Sequence, residues 1–105
     1  MKKVFICSPY RGNIEFNRQR ALEYCRYAAV KGYLPIAPHL YFTQFLSEDN
    51  DERDLGISMG LELMDICDEV WVCGEHISEG MRIEIEYAKS AHKPIYYINK
   101  DTKSP

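Results

Sequence analysis

Four short apolar runs, Lys3–Cys7, Leu34–Ala37, Val70–Cys73 and Ile95–Ile98, alternate along this chain with three segments of helical period. The first segment, from about Ile14 to Lys31, sets Ala21, Tyr24, Cys25, Ala28 and Ala29 on one face, and Gly32 supplies its stop. The second runs from about Glu52 to Cys67, with Asp51 as its N-cap. The third starts at Ser78-Glu79-Gly80 and ends near Ala91, before Pro94. Strand–helix alternation predicts an α/β fold: a small flavodoxin- or Rossmann-like parallel sheet of about four strands, flanked by helices. Right-handed crossovers give the order 2-1-3-4. The stretch from His39 to Asn50 is a long connection with room for one helical turn, a candidate lid or pocket wall.

The second helix is apolar on two sides. At about 100° per residue, Leu55, Met59, Leu63 and Ile66 form one stripe, while Ile57, Leu61 and Met64 form another roughly opposite. Two apolar sides call for two covers, and in a chain this small the second cover is expected to be another subunit. Ser58, Glu62 and Asp65 make a polar seam between the stripes. It reads either as a solvated strip or as the wall of a pocket near a subunit boundary.

In the third helix the apolar stripe is Met81, Ile85 and Ala88, and Glu84 falls within it, three residues after Met81 and four before Ala88. Burying a carboxylate is costly unless it is paired or has work to do. Glu84 near the helix start is expected to stay ionised in the helix dipole. Glu86, by contrast, points elsewhere, near Arg82, and reads as solvated surface.

Composition narrows the partners. With 105 residues the chain suffices for one domain spanning 1–105, and its net charge of −3 offers no basic stripe for duplex nucleic acid. The opening Val4-Phe5-Ile6-Cys7 is too short for a signal peptide or a membrane span. Cys7, Cys25, Cys67 and Cys73 form neither a CxxC pair, nor a zinc spacing, nor a disulfide framework. These features predict a reduced cytoplasmic protein without structural metal or cofactor.

Three polar clusters follow three predicted strand ends, where open α/β sheets bind ligands. They are Ser8-Pro9-Tyr10-Arg11-Gly12-Asn13, Pro38-His39-Leu40-Tyr41, and Gly74-Glu75-His76-Ile77-Ser78-Glu79-Gly80. Together they bring hydroxyls, a guanidinium, two helix N-termini and a carboxylate to one crevice. Unpaired helix amides, the hydroxyls of Ser8 and Ser78, and Arg11 suit a phosphorylated sugar, and Gly12 and Gly80 permit close approach. No GxxxxGK[ST], GxGxxG or GxSxG occurs, which leaves triphosphate chemistry, dinucleotide redox and serine hydrolysis without motif support. A carboxylate beside such a crevice is what retaining N-glycosidic cleavage needs as nucleophile. A second group must protonate the departing base, and Glu62, Asp65, Glu79 and His39 are all candidates.

Residues Ser8-Pro9-Tyr10-Arg11-Gly12 after the first strand resemble the opening of the nucleoside 2-deoxyribosyltransferase superfamily. So does Cys67-Asp68-Glu69-Val70-Trp71-Val72, followed by Ser78-x-Gly80-x-x-x-Glu84 and Ala88. The superfamily includes 2′-deoxynucleoside 5′-monophosphate N-hydrolases. The strings Pro38–Phe42 and Met59–Leu63 are similar to those of a small branch from bacteria and phages. The resemblance implies Glu84 as the glycosyl-accepting nucleophile and Ser78 near the 5′-phosphate or 5′-hydroxyl. It also implies a pocket lined by Ser8, Tyr10 and Arg11, and a dimer or larger homo-oligomer. One departure stands out: the position of the superfamily's second catalytic carboxylate, an aspartate, is occupied here by Gly60, with Glu62 and Asp65 the nearest acids.

Two functional classes follow. One is an enzyme cleaving or transferring at the N-glycosidic bond of a (deoxy)nucleoside or its 5′-monophosphate, with Glu84 as nucleophile and Glu62 assisting. The other is a nucleotide-binding or sensing protein that keeps the crevice and has weak or no turnover, which Gly60 favours. An apolar interaction protein would leave the clustered polar loops unexplained.

Overall fold

The computed structural model describes residues 1–98, so the seven remaining positions of the expected single domain, 99–105, lie outside it. Strands β1 (Lys3–Cys7), β2 (Leu34–Ile36), β3 (Glu69–Cys73) and β4 (Ile95–Ile98) form one sheet in the order β2-β1-β3-β4, every pairing parallel. The helices are α1 (Ile14–Val30), the single turn α2 (Pro38–Tyr41), α3 (Asn50–Asp65) and α4 (Glu79–Ser90), with a short 3₁₀ turn at Phe42–Gln44. Fold class and strand order are those the hydrophobic pattern predicts.

Beyond Lys3 and Glu69 at their starts, the two central strands are apolar because both of their faces are covered. Alternate side chains point to opposite sides. Phe5, Cys7, Val70 and Val72 meet Met64 and Cys67 at the end of α3, and Met81, Ile85 and Ala88 of α4. Val4, Ile6, Trp71 and Cys73 pack on Tyr24 and Ala28 of α1. The ring of Tyr33 stands edge-on to Trp71, with centroids 4.9 Å apart. Glu69, buried at the start of β3, accepts from Trp71 Nε1 at 3.0 Å and pairs with Lys2 at 3.3 Å.

Helix boundaries follow their caps. Asn13 caps α1, its side-chain oxygen accepting from Phe16 N–H at 3.2 Å, and Gly32, at φ +92°, ends it as expected. Helix α3 begins two residues earlier than the apolar period indicates, because Asp49 rather than Asp51 is the cap: its carboxylate accepts from Glu52 N–H at 2.9 Å. Of the two apolar sides of α3, Met64 is buried and Ile57 and Leu61 partly so, whereas Leu55 is 49 % and Ile66 57 % exposed. Two members of the Leu55 stripe are therefore open in the single chain, while Met59 and Leu63 between them are partly buried. No helix of the described residues is long and apolar enough to cross a membrane.

Candidate functional site

Parallel pairing puts the carboxyl ends of β1, β2 and β3 on one edge of the sheet. The segments that leave those ends enclose a cavity of about 230 Å³. Ser8, Tyr10 and Arg11 come from the turn after β1, Pro38, His39 and Phe42 from the arm after β2, and Ser78, Gly80 and Glu84 from the start of α4. The opposite wall is the first half of α3, contributing Glu52, Arg53, Gly56 and Ile57.

The turn after β1 is braced from below. Asn17, one turn into α1, donates through its side-chain amide to the carbonyls of Tyr10 (3.1 Å) and Arg11 (2.9 Å), and Gly12 turns the chain at φ +96°. Ser8, buried at the tip of β1, then meets His39: Ser8 Oγ and His39 Nε2 are 3.0 Å apart. Burial holds the imidazole well below its ordinary range, at about 4, so His39 is neutral at physiological pH and acts as a hydrogen-bonding group. The Tyr10 ring stands edge-on to it at 6.2 Å.

Glu84 reaches the cavity from the second turn of α4. Burial pushes its carboxyl up from an ordinary 4.5 to about 7, and the adjacent Cys7 thiol, which favours the ionised form, offsets only part of this. The expectation of a fully ionised carboxylate is thereby corrected. Glu84 is the sixth residue of the helix, past the first turn in which the dipole is felt, and desolvation wins. The Cys7 thiol is itself pushed up by burial and by this carboxyl, which makes it inert as a nucleophile.

At the head of α4, Ser78 is the N-cap: its hydroxyl oxygen accepts from Met81 N–H at 3.2 Å, while Ser78 N–H points to Met81 Sδ at 3.5 Å. The hydroxyl proton of Ser78 stays available to a ligand, and so do the first amides of the helix.

Arg53, Gly56 and Gly60 lie at i, i+3, i+7 on one face of α3. The arm after β2 runs along the two glycines at ordinary contact distance. A β-carbon at Gly56 would lie 3.4 Å from Leu46, and one at Gly60 3.6 Å from Pro38. Arg53 heads this face, with Nη2 lying 3.6 Å from where a Gly80 side chain would begin. Its guanidinium makes no hydrogen bond or ion pair with the described residues, the backbone N–H donating to the Asp49 carbonyl at 2.9 Å. Arg11, the expected phosphate ligand, is instead engaged: Nε lies 3.3 Å from Glu48 Oε1, and Nη2 donates to the Glu48 carbonyl at 3.1 Å. That pair is half-exposed and worth little in stability, and it fastens the β1 turn to the segment before α3.

The cavity thus gathers Ser8, Tyr10, Arg11, His39, Ser78, Gly80 and Glu84. Gly12, Glu62 and Asp65 lie outside its lining. The last two are exposed on the seam of α3, and the Asp65 carboxylate accepts from the Tyr87 hydroxyl at 2.6 Å. Arg53 and Phe42 escaped the sequence reading. The alignment of Arg53 with two glycines was the signal that could have found the first; the second lay in a stretch without period. Among the described residues no group of three His, Cys, Asp or Glu side chains could hold a metal ion.

Residues 2–98 match the family described as "Domain of unknown function (DUF7768)". No curated protein matches the chain. Among solved structures, a 2-deoxyribosyltransferase from the psychrotolerant bacterium Bacillus psychrosaccharolyticus superposes with a TM-score of 0.75 at 13% identity, covering 98% of this chain and 76% of that one. A 2-desoxiribosyltransferase from Leishmania mexicana superposes with a TM-score of 0.57 at 20% identity, covering 97% and 67%. At such identities the likeness establishes a nucleoside 2-deoxyribosyltransferase-like fold, and the chemistry has to be argued from the site.

Proposed function

The chain belongs to the DUF7768 family, and we propose that it cleaves, or transfers across, the N-glycosidic bond of a (deoxy)nucleoside or its 5′-monophosphate, with Glu84 as the residue that takes the glycosyl group. The observation that carries this reading is the Glu84 carboxyl itself, drawn into an apolar helix stripe and presented to a cavity at the carboxyl edge of the sheet. The fold's likeness to 2-deoxyribosyltransferases supports it.

In the proposed reaction an ionised Glu84 oxygen attacks the anomeric carbon as the bond to the base nitrogen breaks, and the electron pair leaves with the base. The base takes a proton from a group of the cavity. Of the candidates, His39 and Glu79 line it; His39, being neutral, can only hydrogen-bond the base, which leaves Glu79 as the donor. Water, or the nitrogen of a second base, then attacks the anomeric carbon, gives up its proton, and frees the Glu84 carboxylate. Tyr10 and Phe42 supply the flat apolar surface that a base requires. A carboxyl poised near 7 is about half ionised at neutral pH, enough to act as nucleophile, and its desolvation makes the ionised form reactive.

The exposed Leu55 and Ile66 of the α3 stripe support a homo-oligomer in which a second copy covers this face. In that assembly the exposed seam bearing Glu62 and Asp65 would stand near the subunit boundary. Sedimentation of the wild type against Leu55→Glu/Ile66→Glu tests this, an unchanged mass contradicting it. The free thiols of Cys7, Cys25, Cys67 and Cys73 support a cytoplasmic setting.

Chromatography of nucleosides and 5′-monophosphates, ribo and deoxy, after incubation with wild type tests the central reading. Free base from at least one compound is expected. Gly60 favours a second reading, a nucleotide-binding protein without turnover. Tight binding that survives Glu84→Gln, with no base from any compound, would select it.

A further inference from the structure

We infer that Arg53 is the residue that selects a phosphorylated sugar, which makes the 5′-monophosphate, rather than the free nucleoside, the preferred ligand of the cavity. This rests on the glycosidic reading for the identity of the sugar, but not for the presence of an anion.

Four observations converge on it. Arg53 lines the cavity and is partly buried, and its guanidinium makes no hydrogen bond or ion pair with the described residues. Its guanidinium lies against Gly80, the second residue of α4, where helix amides are unpaired. The other cation of the cavity, Arg11, is bound to Glu48 through both its Nε and its Nη2. Of the acids that line the cavity besides Glu84, Glu48 is taken by Arg11 and Glu52 accepts from Ser47 N–H at 2.6 Å, while Glu79 is exposed. A planar fork of donors with no side-chain partner, beside Gly80 in a cavity that Ser78 also lines, matches the oxygens of a phosphate group.

The spacing along α4 supplies the ruler. From Gly80 to Glu84 is four residues, about 6 Å along the axis. Both positions lie on the same side of the helix. That separation is comparable to the distance between the 5′-phosphorus and the anomeric carbon of a furanose 5-phosphate. A phosphate held between Arg53 and the head of α4 therefore leaves the anomeric carbon within reach of the Glu84 carboxyl. A free 5′-hydroxyl would leave the guanidinium without a counter-ion.

Calorimetric titration with 2-deoxyribose 5-phosphate and with 2-deoxyribose tests this without requiring turnover. Wild type is expected to prefer the phosphorylated sugar by about tenfold or more, and Arg53→Gln to remove most of that preference. Arg53→Lys, which keeps the charge without the fork, should fall between, and it carries the test if the glutamine variant does not fold. The inference is overturned if wild type binds both sugars alike or neither. It is equally overturned if the preference survives in Arg53→Gln, or is lost with Arg11→Gln instead. Base released from free nucleosides with no phosphate preference would sink Arg53 while leaving the glycosidic reading standing.

Discussion

The Ser8 hydroxyl and the His39 imidazole, 31 positions apart in the chain, meet at 3.0 Å and tie the end of β1 to the arm that follows β2. Because His39 is neutral, this is an uncharged hydrogen bond inside the cavity wall. Ser8→Ala is predicted to cost about 1 kcal/mol of stability and to loosen that arm. Chemical denaturation of the two proteins checks it, and an unchanged midpoint would mean that the contact carries nothing.

The cavity holds two groups whose titrations oppose each other. Glu84 binds its proton more tightly folded (about 7) than unfolded (near 4.5), so its contribution to stability is complete below about pH 4.5 and is lost as pH rises toward 7. His39 binds its proton less tightly folded (about 4) than unfolded (near 6.5), so its contribution is complete above about pH 6.5 and is lost as pH falls toward 4. Between pH 4.5 and 6.5 the two slopes largely cancel. Melting curves across that range should therefore rise with pH in Glu84→Gln and fall with pH in His39→Asn, with wild type flatter than either. Parallel curves for all three would contradict the assigned protonation states.

Activity should follow the ionised form of Glu84. Base release is predicted to increase with pH through about 7 and then level off, at constant protein stability. A profile that falls through the same range would make Glu84 a proton donor rather than a nucleophile.

Gly60 separates structural tolerance from chemical repair. A methyl group there meets Pro38 at ordinary contact distances of 3.6–3.7 Å, and alanine is the better helix former. Gly60→Ala is thus expected to keep the melting temperature or raise it, by up to about 1 kcal/mol in stability. Gly60→Asp would press a carboxylate into the buried contact with Pro38 and should cost about 3 kcal/mol. Equal melting temperatures for the two variants would show that position 60 has space for an acid.

How far the sequence carried differs from element to element, for physical reasons. Strands β1 and β3 are covered on both faces, so they read as unbroken apolar runs, and their order followed from crossover handedness alone. Glu84 was legible because a carboxylate interrupted an apolar period. The α3 start was misjudged by two residues because Asp49 and Asp51 are equally good caps by type, and only geometry chooses between them. The ion pair of Arg11 was not legible because its partner Glu48 is 37 positions away, beyond any local pattern. Arg53 went unmarked because nothing local in the chain shows that α3 carries it beside Gly80 of α4.

The measurement that bears most directly on the central claim is the mass of the Glu84-containing peptide, taken after acid quench during turnover of whichever compound releases base. A glycosyl adduct on Glu84 in wild type, with neither adduct nor free base in Glu84→Gln, is the predicted result. Base release that continues in Glu84→Gln, with the wild-type peptide unmodified, would contradict the covalent role assigned to this carboxylate.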